Sequence, residues 1–108
     1  MPTQKLSPHD VQQKLAGDCK AACFIDVRTQ EEFSSGHVPG AACIPLDQIE
    51  SGSARIPRDK LVILSCLGGK RSARAHEILL SRGFANVVEM EGGYNAWCAQ
   101  GLPVVKTG

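Results

Sequence analysis

One stretch of the chain combines a nucleophile, a flexible turn and a run of positive charge. Its sequence is Cys66-Leu67-Gly68-Gly69-Lys70-Arg71-Ser72. The two glycines allow a tight turn that can point several backbone amides at an anion, and a helix predicted over 72–82 adds the positive end of its dipole. Because each of these groups favours a negatively charged sulfur, the sequence predicts that Cys66 is a thiolate nucleophile.

The chain contains five cysteines, so at least one is unpaired. A cysteine that ends a buried strand is often only a packing residue. The segment after Cys66 is rich in glycine and charge and does not resemble a core, which favours a chemical role there. No such loop follows the other four, which are predicted to be small packing residues: Cys19, Cys23, Cys43 and Cys98. Their spacing fits no usual zinc-ligand pattern, and no metal site is predicted.

Apolar segments alternate with helical patterns along the chain. Strands are predicted over 22–27, 42–44, 61–65 and 87–90, and helices from residue 8, over 30–35, within 45–50, over 72–82 and from 93 or 94. Because the strands are apolar throughout, they favour a parallel sheet covered on both faces by helices. Ligands bind beyond the carboxyl ends of such strands, and Cys66 directly follows the most apolar one.

Two polar signals mark where helices begin. Ser7 stands before Pro8, so it is predicted to cap the first helix. Thr29 and Glu32 have the spacing of a capping box, which predicts a short helix ending near residue 35.

Length and composition limit the classes of protein that fit. The 108 residues predict a single domain over 1–108. A net charge of +1 and an aromatic content of 5% argue against a nucleic-acid-binding protein. No apolar run is long enough to cross a membrane, and the first residues do not resemble a signal peptide, so a cytoplasmic protein is expected.

The sequence resembles the rhodanese (thiosulfate sulfurtransferase-like) family in its single-domain form. The family pattern C-x-x-G-x-R-S is met by Cys66, Gly69, Arg71 and Ser72. Residues 26–28 and 32–33 are similar to its D-V-R…E-F segment, and residues 36–41 to its G-H-I-P-G-A segment, with valine for isoleucine. Residues 91–93 with Trp97 are similar to its closing G-G…W segment. The resemblance covers about residues 5–104.

This resemblance implies a fold, a reaction and a set of site residues. The implied fold is α/β and rhodanese-like, with a doubly wound, mostly parallel sheet of about four to five strands flanked by helices on both faces. The implied enzyme is a thiosulfate sulfurtransferase that forms a persulfide on the catalytic cysteine, Cys66. The residues implied to bind the transferred sulfur and the donor are Leu67, Gly68, Gly69, Lys70, Arg71 and Ser72.

The resemblance implies one partner that donates sulfur and another that accepts it. The donor is an anion such as thiosulfate, and the acceptor is a thiol or cyanide, with a sulfur-accepting protein also open. No metal or organic cofactor is implied, and neither nucleic acid nor membrane is expected as a partner.

Two other functions stay open. One is a persulfide carrier that delivers sulfur to a partner protein. The less favoured one is a phosphatase or arsenate reductase on the same fold, whose pattern has five residues between cysteine and arginine, whereas four separate Cys66 from Arg71 here.

The remaining polar and aromatic side chains are predicted to be structural. Asp26 and Arg28 are expected to form a local ion pair. His37 is expected to form a hydrogen bond within a turn, His76 to lie on the helix surface or in the core, and Trp97 to pack.

Overall fold

A computed structural model describes residues 5–17, 22–52 and 55–106. The strands found in these residues are β1 (Lys5–Leu6), β2 (Ala22–Asp26), β3 (Ala42–Cys43), β4 (Leu61–Ser65) and β5 (Val87–Met90). The helices are α1 (Pro8–Gly17), α2 (Gln30–Ser35), α3 (Leu46–Ser51), α4 (Lys70–Ser81) and α5 (Gly93–Ala99).

The strands form one parallel sheet in the order β1-β5-β4-β2-β3. From β2 the chain moves outward to β3, returns to the other side of β2 to form β4, and then continues to β5. The strand order therefore reverses between β2 and β4. In open parallel sheets this reversal opens a crevice at the carboxyl ends of the two strands, where ligands bind.

Each face of the sheet carries its own apolar core. One core joins β2, β4 and β5 to α3 and α4, and its buried residues include Ile25, Ile49, Leu64, Ala75 and Leu79. The other lies under α1 and α5, and its buried residues include Val11, Phe24, Ile63, Met90 and Trp97. Helices on both faces confirm the predicted α/β architecture, and the five-stranded sheet is wholly parallel.

The starts predicted for the first two helices are present where the sequence placed them. Ser7 Oγ accepts the amide of Asp10 at 3.1 Å at the start of α1. At α2, Thr29 Oγ1 accepts the amide of Glu32 at 3.3 Å, and Glu32 Oε1 accepts the amide of Thr29 at 3.1 Å. These reciprocal bonds are the predicted capping box.

Two features differ from the prediction. Helix α4 begins at Lys70, two residues earlier than expected, because Gly69 takes a left-handed conformation (φ 110°) and starts the helix there. Strand β1 was not predicted, since a pair of residues carries no periodicity. The amide of Glu91 donates to Leu6 O at 2.7 Å, which extends the pairing of β1 with this segment beyond the end of β5.

Among the described helices, none combines the length and apolar character that crossing a bilayer requires.

Candidate active site

Cys66 lies at the point where the strand order reverses. It is the first residue after β4, and the last residue of that strand, Ser65, is in register with Asp26 at the end of β2. Ser65 O accepts the amide of Val27 at 2.8 Å, so the two strand ends stay joined beyond the sheet. The Cys66 side chain is 1% exposed and lies just beneath the residues of the following turn.

The turn after Cys66 directs one backbone amide at the sulfur. Gly69 N–H donates to Cys66 Sγ over 3.0 Å. The positive φ of Gly69 is a conformation that costs other residues about 1–2 kcal/mol, whereas a Cβ there would meet nothing within 4 Å. Backbone conformation, rather than lack of space, therefore makes glycine the fitting residue at position 69.

The predicted site residues divide into a buried group and an exposed rim. Ser72 is buried, and its Oγ lies 3.6 Å from Cys66 Sγ and donates to Gly69 O at 3.1 Å. Leu67, Gly68 and Lys70 are exposed around the turn. Lys70 and Arg71 belong to the first turn of α4 and not to the loop that the sequence predicted before residue 72, and Ser72 lies in the same turn.

Arg71 forms an ion pair across the site entrance. Its two terminal nitrogens donate to Oε1 and Oε2 of Glu32 at 2.7 and 3.1 Å. Hydrogen bonding by Arg71 lowers the pKa of Glu32 to about 2. The same hydrogen bonds raise the pKa of Arg71, and the negative charges of Glu32 and of Cys66 add to that effect. A positive charge is therefore held beside the sulfur by an acidic partner on α2.

The start of α5 fixes the other side of the turn. Tyr94 N–H donates to Cys66 O at 2.7 Å, and Asn95 N–H donates to Leu67 O at 3.0 Å. Gly93 allows this approach, since a Cβ at that position would lie 2.5 Å from Cys66 O. The two carbonyls consequently face α5. The sequence signal for this contact was the pair Gly92-Gly93, which marked the start of a helix and matched the closing G-G…W segment without pointing to the contact itself.

The predicted ion pair between Asp26 and Arg28 is present and buried. The two charged groups lie 2.8 Å apart, with side chains 2% and 3% exposed. Arg28 also donates to Gly36 O at 2.7 Å, and its guanidinium lies 4.2 Å from the centre of the Tyr94 ring. Because Tyr94 N–H holds Cys66 O, this pair supports the site from the β2 side.

A second buried polar group lies behind the sulfur. Glu89, on β5, accepts from Ser72 Oγ at 3.3 Å and lies 2.9 Å from His76 Nδ1. His76 is 4% exposed, which agrees with the predicted core position. His37 bonds Phe33 O at 2.8 Å, and Trp97 is buried, as expected. Sequence reasoning missed Glu89, because no local pattern connects it to residues 72 and 76.

The other cysteines occupy different surroundings. Cys23 and Cys43 are half-buried, and burial raises the pKa of each thiol. Cys98 is exposed, so its predicted packing role is wrong. It follows the buried Trp97 on α5, and one residue turns a helix by about 100°, which carries position 98 toward solvent. Cys19 lies outside the described residues.

Across the described ranges, no three His, Cys, Asp or Glu side chains come close enough together to hold a metal ion.

Comparison with known proteins places this geometry in a family. A family model described as "Rhodanese-like domain" matches residues 7–100. The chain is 33% identical over 101 residues to a sulfurtransferase from Allochromatium vinosum, with 94% of each chain covered. It is 38% identical over 92 residues to thiosulfate sulfurtransferase 16, chloroplastic, from Arabidopsis thaliana, covering 74% of this chain and 77% of that one.

Solved structures agree with the sequence comparison. A rhodanese-related protein from Thermoplasma volcanium superposes with a TM-score of 0.79 at 32% identity, covering 94% of this chain and 97% of that one. A rhodanese-like domain protein from Staphylococcus aureus gives 0.78 at 33% identity, covering 88% and 91%. The shared sheet, the matched range and the loop motif lead to one conclusion: the chain belongs to the rhodanese-like family.

Proposed function

We propose that the protein is a sulfurtransferase of the rhodanese type, in which Cys66 carries the transferred sulfur as a persulfide. The observation that carries the proposal is the buried Cys66 Sγ, which accepts the Gly69 amide at 3.0 Å at the start of α4. A sulfur that receives a backbone hydrogen bond at a helix N-terminus is stabilised as an anion. Named sulfurtransferases among the relatives support the same class of reaction.

The first half-reaction loads the enzyme. The thiolate of Cys66 attacks the outer sulfur of thiosulfate and forms a new S–S bond. The S–S bond of the donor breaks, and its electron pair leaves with sulfite. The product at Cys66 is a persulfide anion, and the charges balance without any oxidant. This is covalent catalysis, in which one transfer is divided into two steps.

The second half-reaction unloads the enzyme. A thiolate or cyanide attacks the outer sulfur of the persulfide, and the bond to Cys66 Sγ breaks with the electron pair returning to Cys66. The acceptor leaves as a persulfide or as thiocyanate. The cysteine is then a thiolate again, ready for another donor.

The groups around Cys66 have different roles in these two steps. The Gly69 amide and the N-terminus of α4, a helix of 12 residues, stabilise negative charge on the sulfur. Arg71 and the exposed Lys70 attract a dianionic donor and stabilise the departing sulfite. Because Glu32 holds Arg71 at the entrance, the guanidinium is ordered before the donor arrives.

The test is an intact-mass measurement after incubation with thiosulfate. The expected result is a gain of one sulfur atom that a thiol reductant removes. Cys66→Ser should show no gain, whereas the matched control Cys43→Ser should gain sulfur as the unsubstituted protein does. A reducible gain in Cys66→Ser would place the sulfur on another cysteine and overturn the proposal.

A carrier that passes sulfur to a partner protein is the second candidate. The observation in its favour is Leu67, an apolar side chain that is 39% exposed beside the cysteine. Comparing turnover from thiosulfate to cyanide with transfer from loaded protein to a thiol or protein acceptor separates the two. Fast turnover with cyanide favours the enzyme, and slow turnover with fast transfer to a protein favours the carrier.

A phosphatase on the same fold is less favoured. Four residues lie between Cys66 and Arg71, one fewer than in the phosphatase pattern, which makes a smaller anion-binding turn. We expect negligible hydrolysis of an aryl phosphate. Hydrolysis that disappears in Cys66→Ser would favour the phosphatase instead.

A further inference from the structure

Glu89 is a buried carboxylate that takes no part in the two half-reactions above. Glu89 lies on β5 and is 2% exposed. Burying an ionised carboxylate costs free energy unless the group is hydrogen-bonded. Oε1 lies 3.3 Å from Ser72 Oγ, and Oε2 lies 2.9 Å from His76 Nδ1. Both partners stand on α4 four residues apart and so on one helix face. The carboxylate is thus held by hydrogen bonds to Ser72 and His76.

Ser72 connects this carboxylate to the candidate nucleophile. Its Oγ lies 3.6 Å from Cys66 Sγ, so hydrogen-bond contacts run without a gap from Cys66 through Ser72 and Glu89 to His76. No buried side-chain N or O of the described residues lacks a partner, and His76 bonds through Nδ1. The chain of contacts therefore runs from the sulfur to His76, a residue that is 4% exposed.

The direction of the protons along this chain depends on the state of the sulfur. A serine has one hydroxyl proton to donate. While Cys66 is a thiol, its S–H donates to Ser72 Oγ, and the one proton of Ser72 is shared between two acceptors, Gly69 O at 3.1 Å and Glu89 Oε1 at 3.3 Å. A thiolate draws the Ser72 proton to itself. Glu89 Oε1 then faces Ser72 Oγ with no proton between them, unless the Glu89 carboxyl group carries one.

We propose that Cys66 ionises by passing its proton along this chain, so that Glu89 gains a proton as the sulfur loses one. The thiol proton moves to Ser72 Oγ while the original hydroxyl proton moves to Glu89 Oε1. One S–H and one O–H bond break, two O–H bonds form, and the negative charge moves from the carboxylate to the sulfur. His76 is a positioning residue, whose Nδ1–H donates to Oε2 and keeps Oε1 toward Ser72.

The other charged groups around the chain cannot replace Glu89. On β1, Lys5 is the register partner of Glu89, and on β4 the register partner is the apolar Leu64. Arg71 on α4 interacts electrostatically with Cys66. Lysine and arginine are already protonated near neutral pH and can accept no further proton there. Two other carboxylates, Asp26 and Glu32, act on Arg71, but each is held in an ion pair with an arginine. Neither has a hydrogen bond to Cys66 or Ser72, so among the described groups Glu89 is the carboxylate joined to the sulfur by hydrogen bonds.

The variant Glu89→Gln tests the relay, because its side chain cannot accept the proton. Its amide can accept from His76 through oxygen and donate to Ser72 through nitrogen, which reproduces the pattern of a protonated Glu89. Because glutamine cannot accept a proton, Cys66 in this variant must release its proton to solvent. We therefore expect its alkylation by iodoacetamide to slow by up to about tenfold for each unit of falling pH, while the unsubstituted protein, whose proton stays within the chain of contacts, changes less than about twofold. Mass spectrometry of the peptide that contains Cys66 reads the rate without interference from other cysteines.

Two controls separate the relay from a simple charge effect. Glu77→Gln removes a carboxylate that is 73% exposed on the same helix, and it should leave the rate unchanged. In a Ser72→Ala background the link is cut, so the alkylation rate should fall as pH falls whether residue 89 is glutamate or glutamine. The same pH dependence in the unsubstituted protein and in Glu89→Gln would overturn the relay, because it would show that Glu89 acts on the sulfur only through its charge.

Infrared difference spectroscopy at one neutral pH tests the same coupling. The unsubstituted protein should show a carboxylic-acid band from Glu89 that is missing in Cys66→Ser, because the serine hydroxyl keeps its proton. An identical carboxylic-acid region in the two proteins would contradict the proposal, even if Glu89→Gln fails to fold.

The relay deepens the proposed function, because it concerns the same nucleophile. Neither alkylation nor infrared spectroscopy requires sulfur transfer. A protein that forms the persulfide without the coupling loses only the relay, and one that shows the coupling without a persulfide loses only the sulfurtransferase proposal.

Discussion

Cys66 and Cys43 both lie at the carboxyl ends of strands in one sheet, but the hydrogen bonds of their sulfurs with the backbone differ: one sulfur accepts from an amide and the other donates to a carbonyl. Cys66 Sγ accepts the Gly69 amide at 3.0 Å. Cys43 Sγ instead points its thiol at Arg28 O, 3.9 Å away. Burial raises the pKa of the Cys43 thiol, and the nearby Asp26 charge raises it further. The Cys66 sulfur has a backbone donor and a positive charge nearby. The Cys43 sulfur faces a carbonyl acceptor and both charges of the Asp26–Arg28 pair, of which Asp26 has the larger effect on the pKa of the thiol.

The difference arises from the segment that comes after each strand. After Cys43 the chain continues through Ile44 and Pro45 into α3, a helix of six residues. After Cys66, Gly69 turns the chain so that its amide faces back toward the sulfur and α4 begins. Burial alone would rank the half-buried Cys43 as the more accessible thiol. The loop, rather than accessibility, is what distinguishes Cys66.

The largest effect that the comparison predicts is on sulfur transfer itself. Cys66→Ser should abolish turnover from thiosulfate to cyanide, because no other described cysteine receives a backbone amide. Cys43→Ser should stay within about twofold of the unsubstituted rate, since its thiol lies outside the loop. Steady-state assays of both variants measure this. A loss of turnover in Cys43→Ser at unchanged stability would remove the contrast between the two strand ends.

Gly93→Ala should produce the next largest effect, because it displaces the backbone of Cys66 and Leu67 while the cysteine side chain itself is retained. The new Cβ would lie 2.5 Å from Cys66 O and 2.8 Å from Leu67 O. A shift of about 1 Å at a reacting group can cost about 100-fold in rate, and we expect a loss of that order. Gly40→Ala is the control, because its φ is also positive (84°) but nothing lies within 4 Å.

Gly40→Ala should lose about 1 kcal/mol of stability from its left-handed backbone and keep its activity. Assays and thermal melts of both variants make the comparison. Full activity in Gly93→Ala would show that the contact with α5 does not position the loop.

Much of this site follows from local patterns, and the rest depends on packing between distant segments. The glycines and charges after Cys66, the capping box at Thr29 and the apolar strands are local, and they correctly predicted the turn, α2 and the parallel sheet. The Arg71–Glu32 pair joins residues 39 positions apart, and the Glu89–Ser72 contact joins residues 17 apart. No periodicity or spacing rule connects such residues, since only the folded sheet brings them together.

Arg71→Ala should have a moderate effect on donor binding. A hydrogen bond to a charged group contributes about 1.5 kcal/mol or more, so we expect the KM for thiosulfate to rise about tenfold. Arg74→Ala is the matched control on the same helix, where the arginine is 57% exposed and pairs with Glu50 and Glu77. Its KM should change less than about twofold. Equal changes in the two variants would mean that α4 attracts the donor through its overall charge.

Glu32→Gln should have the smallest effect, on stability and on its pH dependence. The folded pKa of Glu32, about 2, lies below the ordinary value of 4.5 because Arg71 hydrogen-bonds the carboxylate. The ion pair therefore contributes fully above about pH 5 and is lost as pH falls through about 2. Since the side chain is 32% exposed, the contribution is about 0.5–1 kcal/mol.

Chemical denaturation of Glu32→Gln across this pH range tests the assignment. The variant should be less stable than the unsubstituted protein at neutral pH and equal to it near the acid limit. A stability difference that stays constant with pH would contradict the assignment, because the hydrogen bonds from Arg71 and from Thr29 both favour the ionised form of Glu32.

The central claim, that the loop activates Cys66, is tested most directly by competition between two cysteines in the unsubstituted protein. A limiting amount of iodoacetamide is added near neutral pH, and peptides are quantified by mass spectrometry. We predict that Cys66, 1% exposed, is labelled before the exposed Cys98. Labelling of Cys98 first, in the order that accessibility alone dictates, would contradict the account.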